Sequence, residues 1–219
     1  MRRLLLVGLL VLCVTAVFAQ NRHKDRSQWD RYIMRVVTLA DTGVNAPLQQ
    51  LTDAAGRHVS LHDLVKDLVQ SRKVAIYNID GSRADMTEQI RTMLMRPQGI
   101  NKYILFEKWT YNTHLGKLQP QLLAIGPYDS AYASRDGYVV DLKKNADCSW
   151  QEYQPMFFVK YVSLRPILAN YTVMPKGKQA GKPVTADAYM GGNMFVAKMT
   201  CVNEMSNEAL GKAMEAMLR

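Results

Sequence analysis

The sequence predicts one α+β domain with an antiparallel or mixed sheet flanked by a few short helices. Three observations carry that expectation. Branched and aromatic runs recur at strand length, two stretches carry apolar residues at helical spacing behind capping residues, and no repeat, linker or low-complexity tract divides the 219 residues.

The chain opens with Arg2 and Arg3, an apolar run from Leu4 to Phe18, and Val17-Phe18-Ala19, ending in a small residue, before Gln20. This order of basic, apolar and small residues reads as a signal peptide, 1–19, cut after Ala19. An uncleaved anchor is the alternative, but the run falls short of the ~20 residues a spanning helix needs. Cys13 invites a lipid-anchor reading, yet Leu12 before it is too large for that cleavage. Residues 20–30 form a basic N-terminal segment, read as a flexible solvated tail, and the domain occupies 31–219. No transmembrane segment is expected in the mature chain.

Element by element, Tyr32 to Leu39 is branched and aromatic and reads as a strand, and Asp41 to Pro47 breaks it. Ser60 with Asp63 caps a helix whose stripe is Leu61, Leu64, Val65, Leu68 and Val69. A strand is expected from Val74 to Ile79. A second helix should begin at Asp85 with Glu88 and stop at Pro97 and Gly99. Ile104 to Tyr111 and Leu118 to Ile125 form a hairpin, with Pro120 marking the second strand as an edge or a bulge. Further strands are expected at Tyr138 to Leu142, Met156 to Val162 and Phe195 to Val202. Met174 to Pro183 reads as an exposed loop, and Ser206 as the cap of a closing helix.

The net charge is +9, of which Arg2 and Arg3 carry two. Apart from Arg22 to Arg26 the excess is scattered, and no basic motif interleaved with aromatics points to nucleic acid. Once Cys13 leaves, Cys148 and Cys201 remain, and an oxidising compartment favours their pairing; two free thiols are the alternative. His58 and His62 stand four apart, but Ser60 lies between them as a cap, so a metal site is not expected. No nucleophile elbow, phosphate loop, dinucleotide fingerprint or HExxH is present. The aromatic residues of the middle, Trp109 and Tyr111 among them, read as core or subunit interface.

In order along the chain, Met34 to Leu39, Asn45, Pro47 and Leu48, Ser60 to Leu64, and Lys73 to Tyr77 resemble the GldN/PorN proteins of the Bacteroidetes gliding-motility and type IX secretion machinery. More specific is the hairpin: Glu107, Trp109 and Tyr111 resemble that family's E-x-W-x-[FY] strand, and Leu123 to Pro127, with Gly126 and Pro127, its return strand. Arg165 to Tyr171, with Arg165 and Leu168, resembles a strand of the family, and Thr185 to Asp187 the start of a following helix.

That resemblance implies a non-enzymatic periplasmic structural subunit without cofactors, peripheral to the outer membrane. Its implied partners are a GldK/PorK-like outer-membrane lipoprotein, a GldM/PorM-like inner-membrane protein and further copies of itself. Relative to the family pattern, the chain reads as a short member lacking a C-terminal extension. A periplasmic ligand-binding module, or a paralogue with a different partner, are the alternatives; a hydrolase with a dispersed site ranks below them.

Overall fold

A computed structural model of the chain describes residues 30–78, 81–95, 100–112, 115–128, 155–177 and 180–203. Within them lie nine strands and four α-helices. The strands are β1 (Asp30–Thr38), β2 (Leu51–Thr52), β3 (His58–Val59), β4 (Lys102–Asn112), β5 (Lys117–Tyr128), β6 (Val159–Lys160), β7 (Thr172–Val173), β8 (Val184–Thr185) and β9 (Ala197–Asn203). The helices are α1 (Leu61–Gln70), α2 (Glu88–Leu94), α3 (Tyr161–Leu168) and α4 (Ala186–Gly191).

All strand pairings are antiparallel, in a five-stranded sheet of order β6-β5-β4-β1-β9 and a four-stranded sheet of two-residue strands, β3-β2-β7-β8. The α+β arrangement read from the sequence is therefore the one observed.

The pleat of the larger sheet sorts its residues between two cores. Val37, Tyr103, Leu105, Leu122 and Ile125 face the main core, where α1 brings Leu61, Leu64, Val65, Leu68 and Val69 and α3 and α4 add Leu164, Leu168, Tyr189 and Met190. Met34, Ile104, Phe106, Leu123, Ala124 and Phe158 form a smaller cluster. Leu123 and Ala124, neighbours in sequence, both belong to it because β5 carries a bulge. Phe106 pairs with Ala124 and Glu107 with Leu122, which leaves Leu123 as the extra residue. Among the described residues Pro120 sits where β5 has no outer neighbour, since β6 pairs with Ala124 and Ile125. Both expectations attached to that proline, edge and bulge, hold for the strand.

Ser60 caps α1 as read: its Oγ accepts from the Asp63 amide at 2.9 Å. Three expectations are corrected. Of the expected Val74 to Ile79 strand, Ile79 lies outside the described residues and Val74 to Asn78 form no ladder among them; Tyr77 makes single bridges, to Arg83 and Phe158. Helix α2 starts at Glu88 rather than Asp85, because Thr87 Oγ1 accepts the Ile90 amide and takes the cap. The run from Met156 yields only the short β6 before the chain turns helical at Tyr161, so Arg165 and Leu168 lie on α3 and not on a strand. The helix prevails because Tyr161, Leu164 and Leu168 fall on one buried face at helical spacing, despite Pro166 within it. The expected strand at Tyr138 to Leu142 and the helix after Ser206 lie outside the described residues.

Candidate functional site

Strand β4 places Glu107 and Trp109 on the face that also carries Leu105, and β1 places Arg35 diagonally across from them. Arg35 and Glu107 are both buried, with side chains 8% and 2% exposed. A lone charge at that depth is costly, so each must be satisfied by its neighbours. The satisfaction is thorough. Arg35 Nε donates to Glu107 Oε2 at 2.9 Å and Nη2 to Oε1 at 2.6 Å, a forked pairing that uses both carboxylate oxygens. Trp109 Nε1 donates to Oε2 at 2.7 Å. Nη2 donates a further bond to Asn193 Oδ1 at 2.6 Å. The guanidinium also stacks 5.6 Å from the Trp109 ring and 5.3 Å from that of Phe195.

Local backbone geometry delivers these groups. Between Met34 and Arg35 the β1–β9 register slips, leaving Thr200 as an extra residue, and the β5 bulge lies beside Glu107 on the other side. Two bulges therefore flank the ion pair. Asn193 arrives by a helix ending: Asn193 N–H bonds the Met190 carbonyl and Met194 N–H the Tyr189 carbonyl, which closes α4 with Asn193 in the left-handed region at φ +55°. Asparagine tolerates that conformation, and its side chain then reaches Arg35. The cluster thus ties β1, β4 and the α4–β9 turn together. Trp109 and Glu107 were legible as a motif; Arg35 and Asn193 were not singled out, since only the fold brings them near.

A second polar group lies on α3 and α4. Asp187 Oδ1 accepts from the Tyr161 hydroxyl at 2.8 Å and from Arg165 Nε at 3.2 Å. Burial pushes the Tyr161 hydroxyl well above the usual tyrosine range, so it remains protonated and keeps donating. This group borders a surface groove of about 550 Å³ running past Pro120, Val162 and Gly192.

The other sequence-selected residues separate. Tyr111 is exposed near the hairpin end, and Leu168 is fully buried in the main core. Gly126 and Pro127 pack against the strand lead-in at 155–158: the Pro127 carbonyl accepts from Met156, and a Cβ on Gly126 would collide with the Phe157 carbonyl oxygen. Cys148 and the Cys201 side chain lie outside the described residues; the Cys201 backbone pairs with Met34 in β9.

His58 and His62 diverge. His58 Nδ1 lies 3.0 Å from Thr52 Oγ1, while His62 is buried with Nδ1 3.1 Å from the Tyr103 hydroxyl. Burial, ahead of the other influences, lowers the His62 pKa below its ordinary 6.5. Among the described residues no group of three His, Cys, Asp or Glu is placed to hold a metal, and no helix is long and apolar enough to cross a membrane.

Residues 81–218 match the family model described as Gliding motility associated protein GldN. The matched stretch contains Glu107, Trp109, Asn193 and Phe195, four of the five members of the buried cluster. No curated protein matches the chain.

Proposed function

The chain belongs to the GldN family of gliding motility associated proteins, and from that premise we propose that it is a non-enzymatic structural subunit of a gliding-motility and type IX secretion assembly in the periplasm. The family match is the observation that carries this reading. The proposal places 1–19 as a cleaved leader, 20–30 as a basic lead-in and 31–219 as the working domain. It assigns as partners an outer-membrane lipoprotein of the GldK/PorK kind, an inner-membrane protein of the GldM/PorM kind, and further copies of the chain.

The chemistry of the site supports a structural role. Glu107 commits both carboxylate oxygens to Arg35 and Trp109, and Arg35 commits Nε and Nη2 to Glu107 and Asn193, a set of bonds that rigidifies the sheet. Tyr111 and Arg165, the latter paired with Asp187, are the exposed family-motif residues that face outward. In an oxidising periplasm Cys148 and Cys201 would pair, a private staple of this chain.

Crosslinking of intact envelopes followed by capture of the chain tests the proposal. A specific envelope lipoprotein crosslinked to the chain is the expected result. Recovery of the chain alone, or in the cytoplasmic fraction with residues 1–19 still attached, would overturn it.

A further inference from the structure

Helix α1 ends in an arrangement that its own sequence does not favour. Arg72 N–H bonds the Val69 carbonyl and Lys73 N–H the Leu68 carbonyl, closing the helix with Arg72 in the left-handed region at φ +57°. Glycine is the residue that occupies this position without strain, and a long side chain there is disfavoured. Asn193, the other non-glycine residue at positive φ among the described residues, uses its side chain to complete the buried cluster. A strained position is retained where the side chain has a use.

What Arg72 reaches is a groove of about 590 Å³ between the end of α1, the extended segment from Val74 and the start of α2. Its floor is apolar, with Val74 and Ile76 buried and Met86 half-buried. Its rim is basic: exposed Arg72, Arg83 and Arg91 stand against one carboxylate, Asp85. Among the described residues Arg72 and Arg83 make no ion pair, and Arg91 approaches Glu88 only at 3.8 Å. Arg72 and Arg83 are therefore available to a ligand and Arg91 is held only at 3.8 Å, and the net charge of +9, still +7 once Arg2 and Arg3 leave, steers anions toward the chain.

We infer that this groove is a docking site for an acidic, extended polypeptide segment of a partner protein, with carboxylates on the arginine rim and apolar side chains on the floor. A concave floor below a charged rim is out of reach of a flat lipid surface. The lining residues include no aromatic ring on which a nucleobase would stack. A volume of this size accepts several side chains, more than a single anion fills. The inference adds a surface and a ligand chemistry to the assembly reading, but its test uses the isolated chain, so either can fail alone.

The experiment is fluorescence anisotropy of the mature chain with a labelled peptide alternating Glu and Leu. Binding that weakens with added salt is expected, and Arg72→Gln, Arg83→Gln and Arg91→Gln together should weaken it roughly tenfold, as three exposed ion pairs would. Removing three cations elsewhere, by Lys117→Gln, Lys182→Gln and Lys198→Gln, should leave affinity within about twofold. Arg72→Gly should act in opposite directions on two readouts: a thermal midpoint higher by roughly 2–4 °C, because the strain is relieved, and weaker peptide binding. Equal weakening by both triple variants, equal affinity for a peptide of Glu and Ser, or binding only to phosphatidylglycerol vesicles would each overturn the assignment. So would Arg72→Gly leaving affinity unchanged.

Discussion

At Arg35 and Glu107 the fold commits two charges to its interior, and such a pair has an asymmetric energetic character. Removing one partner strands the other, at a cost of about 3–5 kcal/mol, whereas exchanging both for apolar residues of similar volume costs much less. Glu107→Ala is therefore expected to lower the unfolding free energy by about that amount in urea titration. The paired change Arg35→Met with Glu107→Leu should recover most of it, short of the bonds that Trp109 and Asn193 lose. If Glu107→Ala left the midpoint unmoved, the buried cluster would not be the clasp described. The same residue scale explains what the sequence concealed. Glu107 and Trp109 are two apart on one strand, and their spacing alone puts them on one face. Arg35 lies 72 positions from Glu107 and Asn193 lies 158 from Arg35, so neither shows a local pattern, and an arginine inside a branched strand reads as a solvent-facing residue.

Among the elements, α1 and the β4–β5 hairpin were legible because several local signals agree in each: a capping serine with one apolar stripe, and two branched runs around a short turn. Helix α3 was not. Its run of apolar residues fits strand and helix equally until packing decides, and a proline such as Pro166 disfavours the helix that the Tyr161, Leu164 and Leu168 stripe enforces. Two expectations belong here. Gly126 lets the segment before β6 cross β5 at close range, so Gly126→Ala, whose Cβ would press on the backbone oxygen of Phe157 and on Pro155, is expected to cost about 1–3 kcal/mol in thermal or chemical unfolding. An unchanged midpoint would mean that the segment does not cross there.

His62 joins α1 to β4 through Tyr103 and to the end of α2 through the Leu94 backbone, with Asp63 and Lys66 the charged groups beside it. Its pKa is lowered in the folded chain, so below about 6.5 the unfolded chain binds the proton more readily. Its contribution is complete above that value and is lost as pH falls through the depressed folded value. Stability measured at descending pH should drop below about 6.5, and His62→Gln should flatten that part of the profile. A wild-type profile as flat as the variant's would contradict the placement of His62.

Taken together, the described residues form two antiparallel sheets and four α-helices around a shared main core, with the family match running from residue 81 through the hairpin, α3, α4 and β9. The arrangement presents an outward face of exposed hairpin side chains, Tyr111, Leu115 and Leu118, and a basic groove at the end of α1. On the proposed reading the chain works as a built-in part of a larger envelope assembly. The most direct test of that reading is the mass in solution of residues 20–219 by light scattering, alone and co-expressed with the lipoprotein encoded nearest to the chain. A defined complex of several chains is expected in at least the second condition. A monomer in both would contradict it.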